Sequence, residues 1–192
     1  MNQLPPVALG AVILAGGTAA RMGGVDKASI ELRGRTLLTH TLDAVIDAGE
    51  VVVLGDWVHT ERPVTFTRED PALGGPAAGL LTGLDAFARR PRDLVVLAVD
   101  MPFVTMATML RLRAAMDGRD GAVLVDADGR RQLAMVLVTD RLRAVRPAYG
   151  DEFGLPMHQL LAPLDLVEVP ATEREARDID GWADLRDAEV LP

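Results

Sequence analysis

The chain has 192 residues, carries a formal net charge of −8 at pH 7 and contains no cysteine. Its length suits one domain with a sizeable core, and the lack of cysteine excludes disulfides, thiolate metal sites and cysteine nucleophiles. The acidic charge argues against a nucleic-acid partner, because binding to a phosphate backbone requires a basic surface. The first apolar run is too short to span a membrane and residues 1–6 lack the basic start of a signal peptide, so we expect a soluble cytoplasmic protein with no membrane partner.

Short apolar runs rich in β-branched residues alternate with helical stretches along the chain. This alternation predicts an α/β fold, with helices on both faces of a mostly parallel central sheet, in one domain over residues 1–192. In chain order, the predicted strands cover residues 7–14, 50–54, 64–67, 94–99, 122–125, 133–138 and 166–169. The predicted helices cover residues 36–48, 76–88, 106–116, 140–146, 156–161 and 181–187.

A glycine-rich turn follows the first predicted strand and carries Arg21 and the single lysine of the chain, Lys27. Glycines let backbone N–H groups approach a ligand closely, and the two cations can reach phosphate oxygens that these amides hold. Neither a P-loop nor a dinucleotide fingerprint fits, since Ala28 follows Lys27 and the glycine spacing differs. The turn therefore predicts a polyphosphate site, with a purely structural connection between strand and helix as the alternative.

Two later segments are expected to converge on this turn, because ligands of such sheets bind at the carboxyl ends of the strands. Gly75 and Pro76 end a loop and open a helix, where proline suits the first turn; a helix start without a ligand is the alternative. Asp100 follows an apolar strand, so we expect its carboxylate to face the cleft and to bind Mg²⁺ beside phosphate oxygens. A role for Asp100 as a helix cap is less favoured, since Thr105 is better placed.

Residues 14–27 read L-A-G-G-x-x-x-R-M-G-G-x-D-K, which resembles the signature of the molybdenum cofactor guanylyltransferases. The resemblance extends in order from Leu14 to Leu185. It implies a single-domain, three-layer Rossmann-like nucleotidyltransferase fold, with a nucleotide-binding half near residues 7–105 and an acceptor-binding half near residues 106–192. The Gly16-Gly17 pair favours a guanine nucleotide, since relatives that use CTP more usually carry Leu-Ala-Ala-Gly.

The same resemblance implies roles for individual residues. It makes Arg21, Lys27 and Asp100 catalytic, and it makes Asp100 and Asp180 the candidate ligands of Mg²⁺. Asp180 has a second interpretation as the cap of the last helix, and Asp26 either orients Lys27 through a salt bridge or turns the loop. The implied nucleotide-binding residues are Leu14, Ala15, Gly16, Gly17, Lys27, Asp70, Gly75, Gly79 and Asp100.

Two segments depart from the family pattern. Near the C-terminus the family carries Asn-x-Asn-Thr-Pro, whereas this chain has Asp178 and Asp180 followed by Gly181 and Trp182. An acid keeps an oxygen for a metal but lacks the N–H donor of an amide. The family also often places a Gly-x-Arg-Arg/Lys run where residues 150–154 read G-D-E-F-G. The family's basic run is thus missing from the acceptor site. The basic alternatives are Arg89, Arg90 and Arg92, and Arg130 and Arg131 with Gln132.

The resemblance implies an enzyme that moves GMP from Mg-GTP to the terminal phosphate of molybdopterin and releases pyrophosphate. The attacking phosphate is already ionised, so positioning and charge neutralisation suffice without a strong general base. A transient contact with a molybdoenzyme or its chaperone is a further expectation. Two alternatives stay open. One is a related transferase that uses CTP or acts on a sugar phosphate or a 2-phospho acid, and the other is a non-catalytic carrier for cofactor handover.

Overall fold

The first apolar run forms the strand β1 (Val7–Leu14), which is buried almost throughout. A computed structural model describes residues 7–16, 23–172 and 174–190. The other sheet strands are β4 (Glu50–Leu54), β5 (Thr65–Thr67), β6 (Pro91–Ala98), β7 (Gly121–Val125), β8 (Arg131–Val138) and β9 (Leu166–Pro170). A small antiparallel hairpin, β2 (Glu31–Leu32) with β3 (Arg35–Thr36), stands apart from them.

The seven strands lie in one sheet in the order β5-β4-β1-β6-β8-β7-β9. Every neighbouring pair is parallel except the pairs of β8, which runs antiparallel to β6 and β7. The predicted mostly parallel sheet is therefore confirmed. The chain moves from β1 to one side through β4 and β5 and then to the other side through β6, so the strand order reverses at β1. Sheets of this class bind ligands at such a reversal.

Helices cover both faces of the sheet and complete the three predicted layers. They are α1 (Leu37–Ala44), α2 (Pro76–Asp85), α3 (Met106–Ala115), α4 (Thr139–Ala144), α5 (Met157–Leu161) and α6 (Trp182–Val190). Because successive strand residues point to opposite faces, β1 sends Ile13 into one core with α1, α3 and α6. It sends Val12 and Leu14 into a second core with α2, α4 and α5. The predicted α/β fold is thus confirmed.

Several predicted boundaries were wrong by a few residues. The first helix ends at Ala44 instead of residue 48, and Thr36 caps its start by accepting a hydrogen bond from the amide of Thr39. Strand β6 begins at Pro91 instead of residue 94, because Pro91 pairs with Val7 in the parallel register. The hairpin of β2 and β3 was not predicted. None of the helices within the described residues is long and apolar enough to cross a bilayer.

Candidate active site

A cavity of about 690 Å³ opens at the carboxyl edge of the sheet, within the size range of small-molecule sites. Strands β1, β4 and β6 end side by side there, since Leu14 pairs with both Leu54 and Ala98 in the parallel register. All three residues line the cavity. Six of the residues predicted to bind nucleotide also lie in its wall: Leu14, Ala15, Gly16, Gly75, Gly79 and Asp100. Their roles stay predictions, but the structure brings them to one place.

Two predicted residues, Gly17 and Arg21, lie outside the described residues. The turn is described on either side of them, from Ala15 to Gly16 and again from Gly23. On the first side, the amide of Ala15 donates to the carbonyl of Leu54 at 2.9 Å, which fixes the start of the turn to β4. On the second side, Gly24, Val25 and Asp26 line the cavity. The turn therefore borders the cavity from both of its described ends.

Lys27 joins two carboxylates that are far apart in the sequence. Its ammonium donates to Asp100 at 2.9 Å and to Asp180 at 2.8 Å. The lysine side chain is only 15% exposed, whereas the Asp180 side chain is 47% exposed. Burial alone lowers the pKa of Lys27, but the hydrogen bonds and charges of Asp180 and Asp100 outweigh it and raise this pKa above its ordinary value of 10.5. Lys27 is therefore fully charged at neutral pH.

Asp26 determines how the chain presents Lys27. Its carboxylate accepts a hydrogen bond from the amide of Ala28 at 3.1 Å and caps a short 3-10 helix, Lys27–Ser29. Of the two roles considered for Asp26, the structure shows the one that turns the loop. Burial raises the pKa of Asp26, the bond from Ala28 opposes this, and the nearby charge of Asp56 adds to the rise.

Asp100 stands in the turn that follows β6 and lines the cavity with its half-buried side chain. Its carboxylate is not used as a helix cap, because Thr105 and Thr108 form the capping box of α3. Its backbone carbonyl accepts a hydrogen bond from the amide of Ile179 at 2.8 Å. This bond fixes the C-terminal segment beside Asp100, which is how Asp180 reaches Lys27.

Asp178 and Asp180 flank this anchor on either side. The side chain of Ile179 is buried at 1% exposure, so it holds the segment in the core while Asp180 faces Lys27. The pKa of Asp178 is raised first by burial and then by the charge of Asp180. The departure from the family's asparagines therefore concentrates negative charge here, and Lys27 compensates a part of it.

The positions of the Asp100 and Asp180 carboxylates fit a magnesium ion. One oxygen of each carboxylate lies within 3 Å of the same cationic nitrogen, so the two can share a single ion. No group of three or more His, Cys, Asp or Glu side chains that could hold a metal occurs in residues 7–16, 23–172 and 174–190. Magnesium commonly binds one or two carboxylates and completes its shell with phosphate oxygens and water.

The far side of the cavity is formed by the loop that leads into α2. Gly75 precedes the helix with a φ of 88°, a left-handed conformation that glycine adopts without strain, and Pro76 occupies the first turn as predicted. The carboxylate of Glu69 accepts hydrogen bonds from the amides of Leu73 at 3.1 Å and Gly75 at 3.2 Å. This loop therefore has its backbone held by an acidic side chain that itself lines the cavity.

Glu69 is a cavity residue that the sequence did not single out. Among the described residues, the predicted neighbour Asp70 is not in the cavity wall; its backbone instead exchanges hydrogen bonds with the hydroxyl of Thr82. The adjacent acidic pair was the sequence signal, but only the loop conformation decides which of the two faces the cavity. The role predicted for Asp70 stays a prediction.

The segment of residues 150–154 packs against the same loop. The amide of Gly154 donates to the carbonyl of Gly74 at 2.9 Å, and the fully buried Glu152 accepts a hydrogen bond from the amide of Gly150. Where the family carries cations, this chain thus has a turn that is held by a hydrogen bond to its own Glu152. Three of the five alternative arginines pair with carboxylates elsewhere: Arg89 with Glu50, Arg90 with Asp140 and Arg131 with Glu168.

Residues 11–167 match the model of the MobA-like NTP transferase domain. Similar curated proteins include a molybdenum cofactor guanylyltransferase of Shewanella sp. (strain ANA-3), 32% identical over 67% of this chain and 66% of the relative. A protein of the same name from Bradyrhizobium sp. (strain ORS 278) is 36% identical over 67% of this chain and 65% of the relative. About a third of each relative therefore lies outside the match.

Solved structures with a similar fold include molybdopterin-guanine dinucleotide biosynthesis protein A from Archaeoglobus fulgidus, with a TM-score of 0.70 at 20% identity, covering 94% of this chain and 96% of that one. A 2-C-methyl-D-erythritol 4-phosphate cytidylyltransferase from Thermus thermophilus has a TM-score of 0.71 at 24% identity. The match covers 93% of this chain and 96% of that one. The Mycobacterium tuberculosis protein Rv0371c in complex with manganese has a TM-score of 0.67 at 21% identity. The match covers 95% of this chain and 98% of that one. The matched domain, which covers most of the chain and the cavity wall, shows that this protein belongs to the MobA-like NTP transferase family and is a nucleotidyltransferase.

Proposed function

We propose that this nucleotidyltransferase moves GMP from Mg-GTP to the terminal phosphate of molybdopterin, giving the guanine dinucleotide and pyrophosphate. The observation that carries the proposal is the meeting of Lys27, Asp100 and Asp180 at the edge of the cavity. A cation between two carboxylates beside a glycine turn is suited to a triphosphate and its metal ion. The names of the similar curated proteins support guanylyl transfer.

The cavity is arranged to separate the two parts of a nucleotide. The cluster of Lys27, Asp100 and Asp180 lies where β1 and β6 end. The loop before α2 lines the cavity with Glu69 and also offers Leu73, Gly75 and Pro76 to an uncharged group. We assign the triphosphate to the first region and the base to the second. Gly79 lies in the same wall, and a side chain added there would contact Leu14.

In the reaction, an oxygen of the acceptor phosphate attacks the α-phosphorus of GTP. The new P–O bond forms as the bond to the bridging oxygen of pyrophosphate breaks, and that oxygen leaves with the bond's electron pair. Lys27 would exchange a carboxylate for a phosphate oxygen, which its flexible four-carbon stem allows, and would stabilise the charge that develops there. Asp100 and Asp180 would hold Mg²⁺, whose chemistry when bound is to neutralise the phosphate oxygens. A relative in fold that is known with manganese supports a divalent ion.

The acceptor is proposed from the relatives' names rather than from a basic subsite. The turn at residues 150–154 carries no cation, and Arg89, Arg90 and Arg131 already pair with carboxylates. Positioning of the acceptor phosphate would then depend on the metal and on Lys27. We also propose that the enzyme acts in the cytoplasm and meets its molybdoenzyme or a chaperone transiently.

The test incubates the protein with GTP, Mg²⁺ and molybdopterin and measures the dinucleotide and pyrophosphate, which we expect in a ratio of 1:1. GTP with Mg²⁺ should raise the melting temperature more than CTP, ATP or UTP, since a bound ligand stabilises the folded state by mass action. Turnover with CTP and a sugar phosphate would replace this proposal with the related transferase. Nucleotide binding without product for any acceptor would favour the carrier.

A further inference from the structure

Glu175 is a buried acid that lies outside the cavity. It is 6% exposed, yet its carboxylate has partners on every side. Arg111 donates to both of its oxygens, at 3.1 and 2.6 Å. The hydroxyl of Thr108 donates to one oxygen at 2.6 Å, and the amide of Thr172 donates to the other at 2.7 Å. A buried carboxylate with two-point arginine binding is among the strongest polar anchors in proteins.

The electrostatics of Glu175 agree with this geometry. Burial by itself raises the pKa of this carboxyl, but Arg111, Thr108 and Thr172 together hold it at about 2. Glu175 therefore stays ionised throughout the pH range in which the enzyme can be assayed. Its charge is a permanent structural element and takes no part in proton transfer.

The partners of Glu175 belong to two different parts of the fold. Thr108 and Arg111 lie on α3, and Thr108 also accepts a hydrogen bond from the amide of Thr105 at the start of that helix. Thr172 follows β9, and the amide of Glu175 donates back to its carbonyl at 3.1 Å. Glu175 thus fastens the connection between β9 and α6 to the helix that follows the Asp100 turn.

Only four residues separate Glu175 from Asp180. Within them, Ile179 is buried and its amide donates to the carbonyl of Asp100. The segment 174–180 is therefore held at two points, by the Glu175 carboxylate that binds Thr108 and Arg111 of α3 and by a backbone bond to the Asp100 turn. Beyond the second point, Asp180 meets Lys27 at 2.8 Å.

We propose that Glu175 is a positioning residue of the active site: through Thr108, Arg111 and Thr172 it holds segment 174–180 against Asp100, so that Asp180 meets Lys27. The structural part of this inference stands on the contacts alone. Its effect on turnover depends on the function proposed above. Without the anchor, Ile179 would keep its burial but lose the fixed approach of its amide to Asp100.

The first experiment measures amide hydrogen exchange at Ile179 in the full chain. In Glu175→Gln we expect exchange of this amide to quicken by about tenfold or more, since local opening no longer has to break the ion pair with Arg111. The matched control is Asp165→Asn, which removes another carboxylate–arginine pair, with Arg119, from the opposite end of β9. The control should leave the exchange rate of the Ile179 amide unchanged. Unchanged exchange at Ile179 in a folded Glu175→Gln protein would overturn the proposal.

The second experiment is a double-mutant cycle on turnover with Asp180→Asn. If Glu175 acts through Asp180, Glu175→Gln lowers kcat by roughly tenfold in the wild-type background and by much less when Asp180 is already replaced. Equal losses in both backgrounds would contradict the proposal. If Glu175→Gln does not fold, Thr108→Val takes its place in both experiments, since it removes one hydrogen bond to the same carboxylate. The exchange experiment needs no turnover, so it decides the proposal even where guanylyl transfer itself fails.

Discussion

The two ends of the cavity are built in opposite ways. At the Lys27 end, Asp100 lines the cavity and Lys27 joins it to Asp180, so that charged side chains meet from three distant parts of the chain. At the Gly75 end, formed by Glu69, Leu73 and Gly75, a single loop supplies mostly backbone. Each end also has a glutamate that accepts hydrogen bonds: Glu69 lines the cavity and binds two backbone amides, whereas Glu175 is buried behind the Lys27 end and binds Arg111, Thr108 and one backbone amide.

The difference indicates what each end can contribute. Preorganised charges stabilise a transition state more than a ground state, so damage at the Lys27 end should lower kcat. A backbone loop that binds an unreactive group contributes equally to both states, so damage at the Gly75 end should raise KM and leave kcat nearly unchanged. Kinetics of matched variants can separate the two ends.

The largest effect is expected for Lys27→Ala. Loss of a preorganised cation should lower kcat about 100- to 1000-fold, or roughly 3–4 kcal/mol of transition-state stabilisation. Pyrophosphate release measures it, and circular dichroism checks that the fold is kept. Because Lys27 is the chain's single lysine, acylation of its amine followed by peptide mass spectrometry should also show protection by GTP with Mg²⁺. Near-normal turnover in Lys27→Ala would remove the distinction between the ends.

A second effect concerns the support behind the Lys27 end. The folded pKa of Glu175 is lowered from 4.5 to about 2, so its contribution to stability is complete above pH 4.5 and disappears as the pH falls toward 2. The shift corresponds to roughly 3 kcal/mol. Urea titrations should therefore show that the stability difference between wild type and Glu175→Gln shrinks from pH 5 to pH 2. A difference that stays constant over this range would contradict the ion pair as the anchor.

Gly75→Ala should have an intermediate effect. At a φ of 88° an alanine is strained by about 1–3 kcal/mol, although nothing within 4 Å would meet the added carbon. We expect KM for GTP to rise and kcat to stay within about twofold. Gly118→Ala is the matched control, since it has a φ of 81° and equally open space but lies in the turn before β7. The control should lose similar stability and keep the KM of the wild type.

The smallest effect is expected for Glu69→Gln. The amide keeps one acceptor oxygen for Leu73 or Gly75 and turns a donor toward the other, so about 1 kcal/mol of loop stabilisation is lost. KM for GTP should rise a few-fold, by steady-state kinetics, with kcat unchanged. Glu168→Gln, at an exposed pair with Arg131, provides the neutral comparison. A fall in kcat larger than the change in KM would show that the Gly75 end also serves the transition state.

The fold was predictable because its signals are local. The apolar run at residues 7–14 predicted both boundaries of β1 correctly. Thr105 was predicted as the cap of α3 from its position in the sequence alone. The hairpin of β2 and β3 was missed because each strand has only two residues and so shows no alternation. Its turn uses Arg33 and Gly34 with positive φ, and arginine is not a typical turn residue.

The site was predictable where one chain segment carries the chemistry and less so where contacts are distant. The glycine turn and Asp100 were found from short motifs. By contrast, Glu175 and Thr108 are 67 residues apart in sequence, and nothing local marks an acid in a polar stretch as buried. The choice between Glu69 and Asp70 likewise depends on a loop conformation that adjacent acids do not reveal.

The bridge that Lys27 forms between Asp100 and Asp180 has a consequence for the order of ligand arrival. The amine performs the task of a bound ion, because it holds the two acids together and offsets a part of their repulsion. An incoming divalent cation on its own would have to displace this built-in counter-ion and leave a positive charge without a partner. A nucleotide that carries its own metal avoids that difficulty, because its phosphates receive the displaced amine. The enzyme should accordingly ignore the bare metal and capture the two together.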